Sequence, residues 1–264
     1  MTVAGTWQNE YNSQMVLSEV NPNLVVGKYS STTGSTGEYY VVGWQTSAEP
    51  TAQAGQPVCL AIDWHSIVAG PSDNSWHWTS ALSGQINIVN TSEQLVLAHA
   101  MIASCDFPGL CPSGNYIDKL IYNRVSHEAP APETLPSGQS GSEAAPSLVG
   151  TWQGSDGTVF MIQSVVPYTG NAFGFVQGKM TWGGGPSMIY GVTDINAGSA
   201  GLSLQSVTIV GLPSDGGGPA LAYGGTLDLN TGTMTLVELS STATPNNATY
   251  VQTTVNQITF KKVG

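Results

Sequence analysis

Apolar and polar residues alternate along most of this chain, in runs too short for helices. Val58, Leu60, Ile62 and Trp64 fall on one strand face, with Asp63 and His65 on the other, turned to solvent or to a partner barrel. Leu95, Leu97, His99 and Met101 form a second such face, which aims His99 into or near a barrel mouth. The same period places Trp7 with Asn9 and Tyr11, Ser13 with Met15 and Leu17, and Tyr39 with Val41 against Tyr40 with Val42 and Trp44. Trp76, Trp78, Ser80 and Leu82 read as one further strand, and Ile117, Lys119, Ile121 and Asn123 as the last. Seven or eight short strands in roughly 120 residues suit a closed antiparallel barrel. The plan then repeats through Val159 and Met161, Phe173 to Gln177, Met188 and Tyr190, Leu202 to Ile209, Leu221 and Tyr223, Met234 to Glu238, and Ile258 and Phe260.

The sequence Gly-Thr-Trp-Gln is written twice, at Gly5 to Gln8 and at Gly150 to Gln153. Between the copies lies a stretch rich in Pro, Ser, Gly and Glu, residues 128–147, which has the composition of a linker and not of a core. The expected organisation is a barrel over residues 1–127, a flexible linker over 128–147 and a second barrel over 148–264. The glycine runs 183–185 and 216–218 read as turns. A phosphate loop would need a following helix and usually a lysine.

Composition sharpens this picture. Of 264 residues, 32 are glycine and only 9% are charged, with a net charge of −11 and six Lys plus Arg. Nucleic-acid binding needs a basic footprint, so neither nucleic acid nor an anionic membrane is an expected partner. No 18-residue apolar run or signal peptide is evident, so a soluble protein is expected, of open localisation. Cys105 and Cys111 bracket a short Pro-Gly loop. A small disulfide is one reading there, with Cys59 left as a buried thiol, and zinc fits less well because no second Cys/His pair has suitable spacing.

The first half resembles the avidin/streptavidin family. Gly5 to Ser13 is similar to that family's opening strand and turn, and Gly27 to Gly34 to its second strand and closing loop. Ile62-Asp63-Trp64, Ser80 to Gln85 and Ser92 to Leu97 match three further segments. In the second half, Gly150-Thr151-Trp152, Gly178-Lys179-Met180 and Phe260 to Val263 carry the likeness. The resemblance implies two up-and-down, calycin-type β-barrels. It also implies a ligand site of Asn9, Ser13 and Tyr29 as a clamp on a carbonyl oxygen, with Tyr11 beside it and Ser31 and Thr33 in the closing loop. Trp64 would be an aromatic wall, and Ser80 would meet a ligand sulfur.

The departures bear on the same site. Leu82 and Leu95 stand where the family has tryptophan, Trp78 replaces a serine, and an apolar residue near Leu120 replaces an aspartate. Leu97 and His99 complete the expected lining. Each lost aromatic wall removes roughly 1–3 kcal/mol. In the second barrel Gly154, Met180 and Tyr250 replace Asn, Tyr and Trp, and Thr158 alone keeps a clamp-like hydroxyl.

Glu10 and Glu93 are expected to be solvated, and no Ser-His-Asp pattern, metal cluster or nucleotide loop is evident. Three readings follow, in order. The first is a binder of a small apolar or biotin-like molecule, with no cofactor or metal and with barrel pairing within one chain or between chains. The second is a cofactor-independent cyclase or isomerase that polarises a carbonyl through Tyr29, Ser13 and Asn9, with His99 as a proton-transfer group. The third is a lectin-like defence protein that uses Trp76 and Trp78 as a sugar platform.

Overall fold

The computed structural model describes residues 2–32, 36–68, 70–131, 134–136, 144–145, 147–168, 170, 172–182, 185–213, 216–246 and 253–263. Thr33, Gly183, Gly184, Tyr250 and much of the 128–147 linker lie outside them.

The chain is all-β. The first eight strands are β1 (Gly5–Asn9), β2 (Gln14–Asn21), β3 (Leu24–Ser31), β4 (Gly37–Gln45), β5 (Gln56–Asp63), β6 (Thr79–Val89), β7 (Ser92–Ala103) and β8 (Gly114–Ser126). They pair in sequence order, and β8 returns to β1, which closes an antiparallel barrel. The second set is β9 (Gly150–Gly154), β10 (Val159–Pro167), β11 (Gly174–Thr181), β12 (Pro186–Thr193), β13 (Leu204–Gly211), β14 (Ala220–Asp228), β15 (Thr233–Ser241) and β16 (Thr253–Val263). It closes in the same way, with β16 on β9. No helix among the described residues is long and apolar enough to cross a membrane.

The repeated Gly-Thr-Trp has one structural job in both barrels. The Trp7 indole N–H donates to the Val3 carbonyl, and the Trp152 indole to the Leu148 carbonyl, each at 2.7 Å. A cation from the closing strand covers each ring: Arg124 lies 4.0 Å from the Trp7 centroid and Lys262 lies 5.7 Å from that of Trp152. Gly5 and Gly150 have φ of +127° and +136°, and a Cβ at either would run into that same cation. The motif therefore seals the end of each barrel.

Glu93 is not solvated as expected. It is 8% exposed and pairs with Arg124, whose other nitrogens donate to the Ala4 and Thr2 carbonyls. The guanidinium bridging β7, β8 and the N-terminal segment draws the carboxylate inward.

The two barrels share a core. Tyr40 of β4 packs against Phe173 and Phe175, and Trp44 stacks on Tyr190 at 5.7 Å. Leu24, Val26, Ala61, Ala81 and Ile102 meet Val210, Ala220, Ala222 and Leu239 in the same cluster. Gly224 permits this approach, since a Cβ there would sit 2.8 Å from the Cβ of Ala81. Polar groups within the contact are matched: the Ser83 hydroxyl meets the Ala220 carbonyl, and Gln85 exchanges hydrogen bonds with Thr244. Cys59 is a buried thiol that donates to the Gly211 carbonyl, and burial pushes its pKa up to about 12. The linker contributes more than its composition suggests. Leu135 packs on the shared core, and Ala145 is buried in the second barrel.

Candidate ligand site

The mouth of the first barrel holds a cavity of about 410 Å³. Of the residues singled out from sequence, Asn9, Tyr11, Tyr29, Ser31, Trp64, Trp78 and His99 line it. Alternation places them: Asn9 ends β1, Tyr29 and Ser31 point inward from β3, and His99 points inward from β7. Leu82, Leu95 and Leu97 do not reach the cavity wall. They are fully packed in the core beneath it with Trp7, Met15 and Tyr122.

Asn9 is 5% exposed. Its Oδ1 accepts the backbone N–H groups of Tyr11 and Ser13 at 3.0 and 2.9 Å, which shapes the β1–β2 turn. Its Nδ2 is buried and has no hydrogen-bond partner. The Tyr122 hydroxyl is close by, also without hydrogen-bond geometry. Burial pushes its pKa well above the tyrosine range; the Tyr29 hydroxyl adds to that shift and the Asn9 amide opposes it.

Ser13, the third member of the expected clamp, is turned away. It is fully buried, and its hydroxyl lies 3.4 Å from that of Thr32 and accepts the Thr32 N–H. The reason is local: Ser13 follows the tight turn at Asn12, whose φ is +64°, and it faces the start of the closing loop.

Ser80 is also withdrawn from the cavity. Its hydroxyl accepts the Trp64 indole N–H at 2.8 Å and lies 2.8 Å from His99 Nε2. Trp64 can only donate, so Ser80 Oγ accepts from it and keeps a second lone pair and one proton for its contact with His99 Nε2. Burial pushes the His99 pKa down to about 4, and Asp118, its cross-strand partner, opposes the shift. His99 lines the cavity with its Nε2 engaged by Ser80. The network's effect is to hold the Trp64 ring, which also meets Tyr29 and Tyr39 edge-on at 5.6 and 4.8 Å.

Trp76 does not share a strand with Trp78. Asn74–His77 is a 3₁₀ turn, started by Asp73, whose carboxylate accepts the Ser75 N–H at 2.9 Å. Trp76 stacks on His65 at 3.7 Å, while Trp78 is 2% exposed and donates to the Cys105 carbonyl. The two rings do not form a paired surface platform. Cys105 and Cys111 are separate thiols. Cys105 Sγ donates to the Asn74 carbonyl, while Cys111 is tied to Phe107 through its backbone and lines the cavity.

Leu120, marked from sequence as a departure at this site, lines the cavity, while Ser75, Met101, Leu110, Cys111 and Asp118 were not assigned to its wall. Met101 shares the period of His99, and Asp118 that of Leu120 and Tyr122, so those signals were present. Leu110 and Cys111 come from the 104–113 loop, which carries no period.

Among the described residues the second barrel has no equivalent arrangement of donors. Phe160 stacks on Phe260 at 4.7 Å and meets Tyr223 edge-on, which fills the interior. Gly154 stands where Asn9 does, and a Cβ there would lie 2.8 Å from Phe260 Cε1. The Thr158 hydroxyl donates to Asp156.

No curated protein matches the chain. Residues 1–103 match the model of the avidin family, which takes in β1 to β7 and leaves out the loop before β8 and β8 itself, with Asp118, Leu120 and Tyr122. The first barrel is thus similar to the avidin family over residues 1–103, and the chain folds as two closed eight-stranded antiparallel barrels in tandem.

Proposed function

We propose that this protein binds a small, largely apolar, carbonyl-bearing ligand in its first barrel, in a cavity remodelled away from tight biotin binding. An avidin-like fold suggests small-ligand binding. The observation that carries the finer reading is the Asn9 amide, buried at the cavity wall with Nδ2 unpartnered. An unsatisfied buried donor costs about 1–3 kcal/mol, and a ligand carbonyl would recover it. Tyr29 lines the same cavity and supplies a second donor.

The remodelling rests on donors and walls that are no longer free. Ser13 and Ser80 are engaged within the protein, and Leu82 and Leu95 are packed below the cavity. What remains is two clamp donors in a box of Tyr11, Trp64, Trp78, Met101, Leu110 and Leu120. Holding is favoured over turnover because His99 Nε2 is already engaged by the Ser80 hydroxyl. On this reading the second barrel serves as a built-in partner, giving the first barrel within one chain the contact that separate subunits would otherwise provide.

Calorimetry of the full chain tests this. Biotin is expected to bind no tighter than micromolar, and Asn9→Ala to weaken any carbonyl ligand about tenfold. Nanomolar biotin binding would overturn the remodelling.

A further inference from the structure

We infer that the ligand of the first-barrel cavity carries a protonated amine at the end nearest the barrel mouth, held between the Asp118 carboxylate and the tyrosine and tryptophan rings. This rests on the cavity being a ligand site, as proposed above, and it adds the ligand's charge and polarity.

The inference comes from the charges that reach the cavity. Among the described residues, Asp118 is the one carboxylate in its lining, and no lysine or arginine is there. The Lys and Arg residues of the first barrel are Lys28, Lys119 and Arg124. Lys28 and Lys119 are each one position from an inward residue, Tyr29 and Asp118, so alternation sends them to the outer face. Arg124 is held at the sealed end over Trp7 and beside Glu93. His99, next to Asp118, is neutral at ordinary pH. Asp73 stands just outside, bonded to Ser75 of the wall. The mouth is therefore negative, with no cation among its described lining residues to neutralise it.

The rings complete the argument. Tyr11, Tyr29, Trp64 and Trp78 line the same cavity as Asp118. Aromatic faces with a carboxylate attract an organic cation by quadrupole and charge together, and more strongly where water is excluded. The Asp118 Oδ1 accepts the Lys119 N–H at 2.7 Å, which fixes the carboxylate and leaves Oδ2 for a ligand. Asn9 sits at the inner end with its free amide, so the cavity has a donor deep inside and an acceptor at its mouth. A ligand with a carbonyl at one end and an ammonium at the other satisfies both. A ligand ending in a carboxylate meets repulsion instead.

The test uses three matched cyclic ureas on the intact protein, read by calorimetry and tryptophan fluorescence: biotin, its neutral methyl ester, and norbiotinamine, in which a primary amine replaces the carboxyl. The amine is expected to bind about tenfold tighter than biotin, with the ester between them. Asp118→Asn, which keeps the acceptor for Lys119 N–H, is expected to bring all three within about threefold, at unchanged thermal stability. Equal binding of amine and carboxylate, or an amine preference that survives Asp118→Asn, overturns the inference while the ligand site stands. Binding by none of the three overturns both.

Discussion

The Ser80 hydroxyl stands 2.8 Å from His99 Nε2 and 2.8 Å from the Trp64 indole nitrogen, so one hydroxyl ties β6 to β7 and to the cavity's aromatic wall. Removing it leaves a buried indole N–H and a buried imidazole nitrogen without partners. Ser80→Ala is expected to cost about 1–3 kcal/mol in urea unfolding. It should also broaden the environment of Trp64, visible as a red-shifted fluorescence maximum. A variant as stable as the parent would show that water replaces the hydroxyl without loss.

His99 gives the protein an acid-sensitive element. Burial holds its pKa at about 4 in the folded chain against the ordinary 6.5 of histidine, so the unfolded chain takes up a proton first as pH falls. The contribution to stability is complete above pH 6.5 and is lost as pH falls from there to about 4. Its full extent is on the order of 3 kcal/mol. Urea midpoints of the parent and of His99→Asn, compared at pH 7 and pH 4.5, should converge in acid. Parallel pH profiles would remove His99 as the cause.

Asp63 acts with the opposite sign. It is fully buried between the barrels; its Oδ1 accepts the His65 N–H at 2.8 Å, and its Oδ2 has no partner. Burial raises its pKa well above the carboxylate range, and the nearby Asp194 adds to this. A raised acid stabilises the fold fully below its unfolded pKa, and the benefit is lost as pH rises through the folded value. Asp63→Asn keeps the acceptor and removes the ionisation. It should raise the unfolding free energy in urea at pH 8 by about 1 kcal/mol and leave it unchanged at pH 3. A loss of stability at pH 8 would contradict the assignment.

Putting the clamp residue back into the second barrel should fail. Gly154→Asn would drive its Cβ towards Phe260 and Asp156, so about 1–3 kcal/mol of destabilisation is expected, with no gain of ligand binding. Thermal unfolding measures the first and calorimetry with the cyclic ureas the second.

Much of the first site was legible from the chain. Alternation puts Trp64 and His99 on inward faces, the family resemblance points to Asn9 and Tyr29, and the structure brings these and Trp78 to one cavity. Ser13, Ser80 and Glu93 were misread for one reason. Ser80 and Glu93 lie on β6 and β7 and Ser13 just before β2, but each finds its partner in a different segment: Thr32 for Ser13, Trp64 and His99 for Ser80, Arg124 for Glu93. The paired tryptophans failed differently, because Asp73 caps a 3₁₀ turn where alternation continued on paper.

The sequence by itself determined the two-barrel plan, the faces of the strands and the ends that Gly-Thr-Trp seals. Side-chain alternation and the left-handed glycines are local properties that any strand of this composition must obey. Only the tertiary structure decided which polar atoms remain unpaired. It consumed Ser13 and Ser80, left the Asn9 amide and the Asp118 carboxylate facing one cavity, and filled the second barrel with Phe160 and Phe260. Hydrogen-bond partners depend on register and on loops that cross the mouth, and those distances exist only once the barrel has closed.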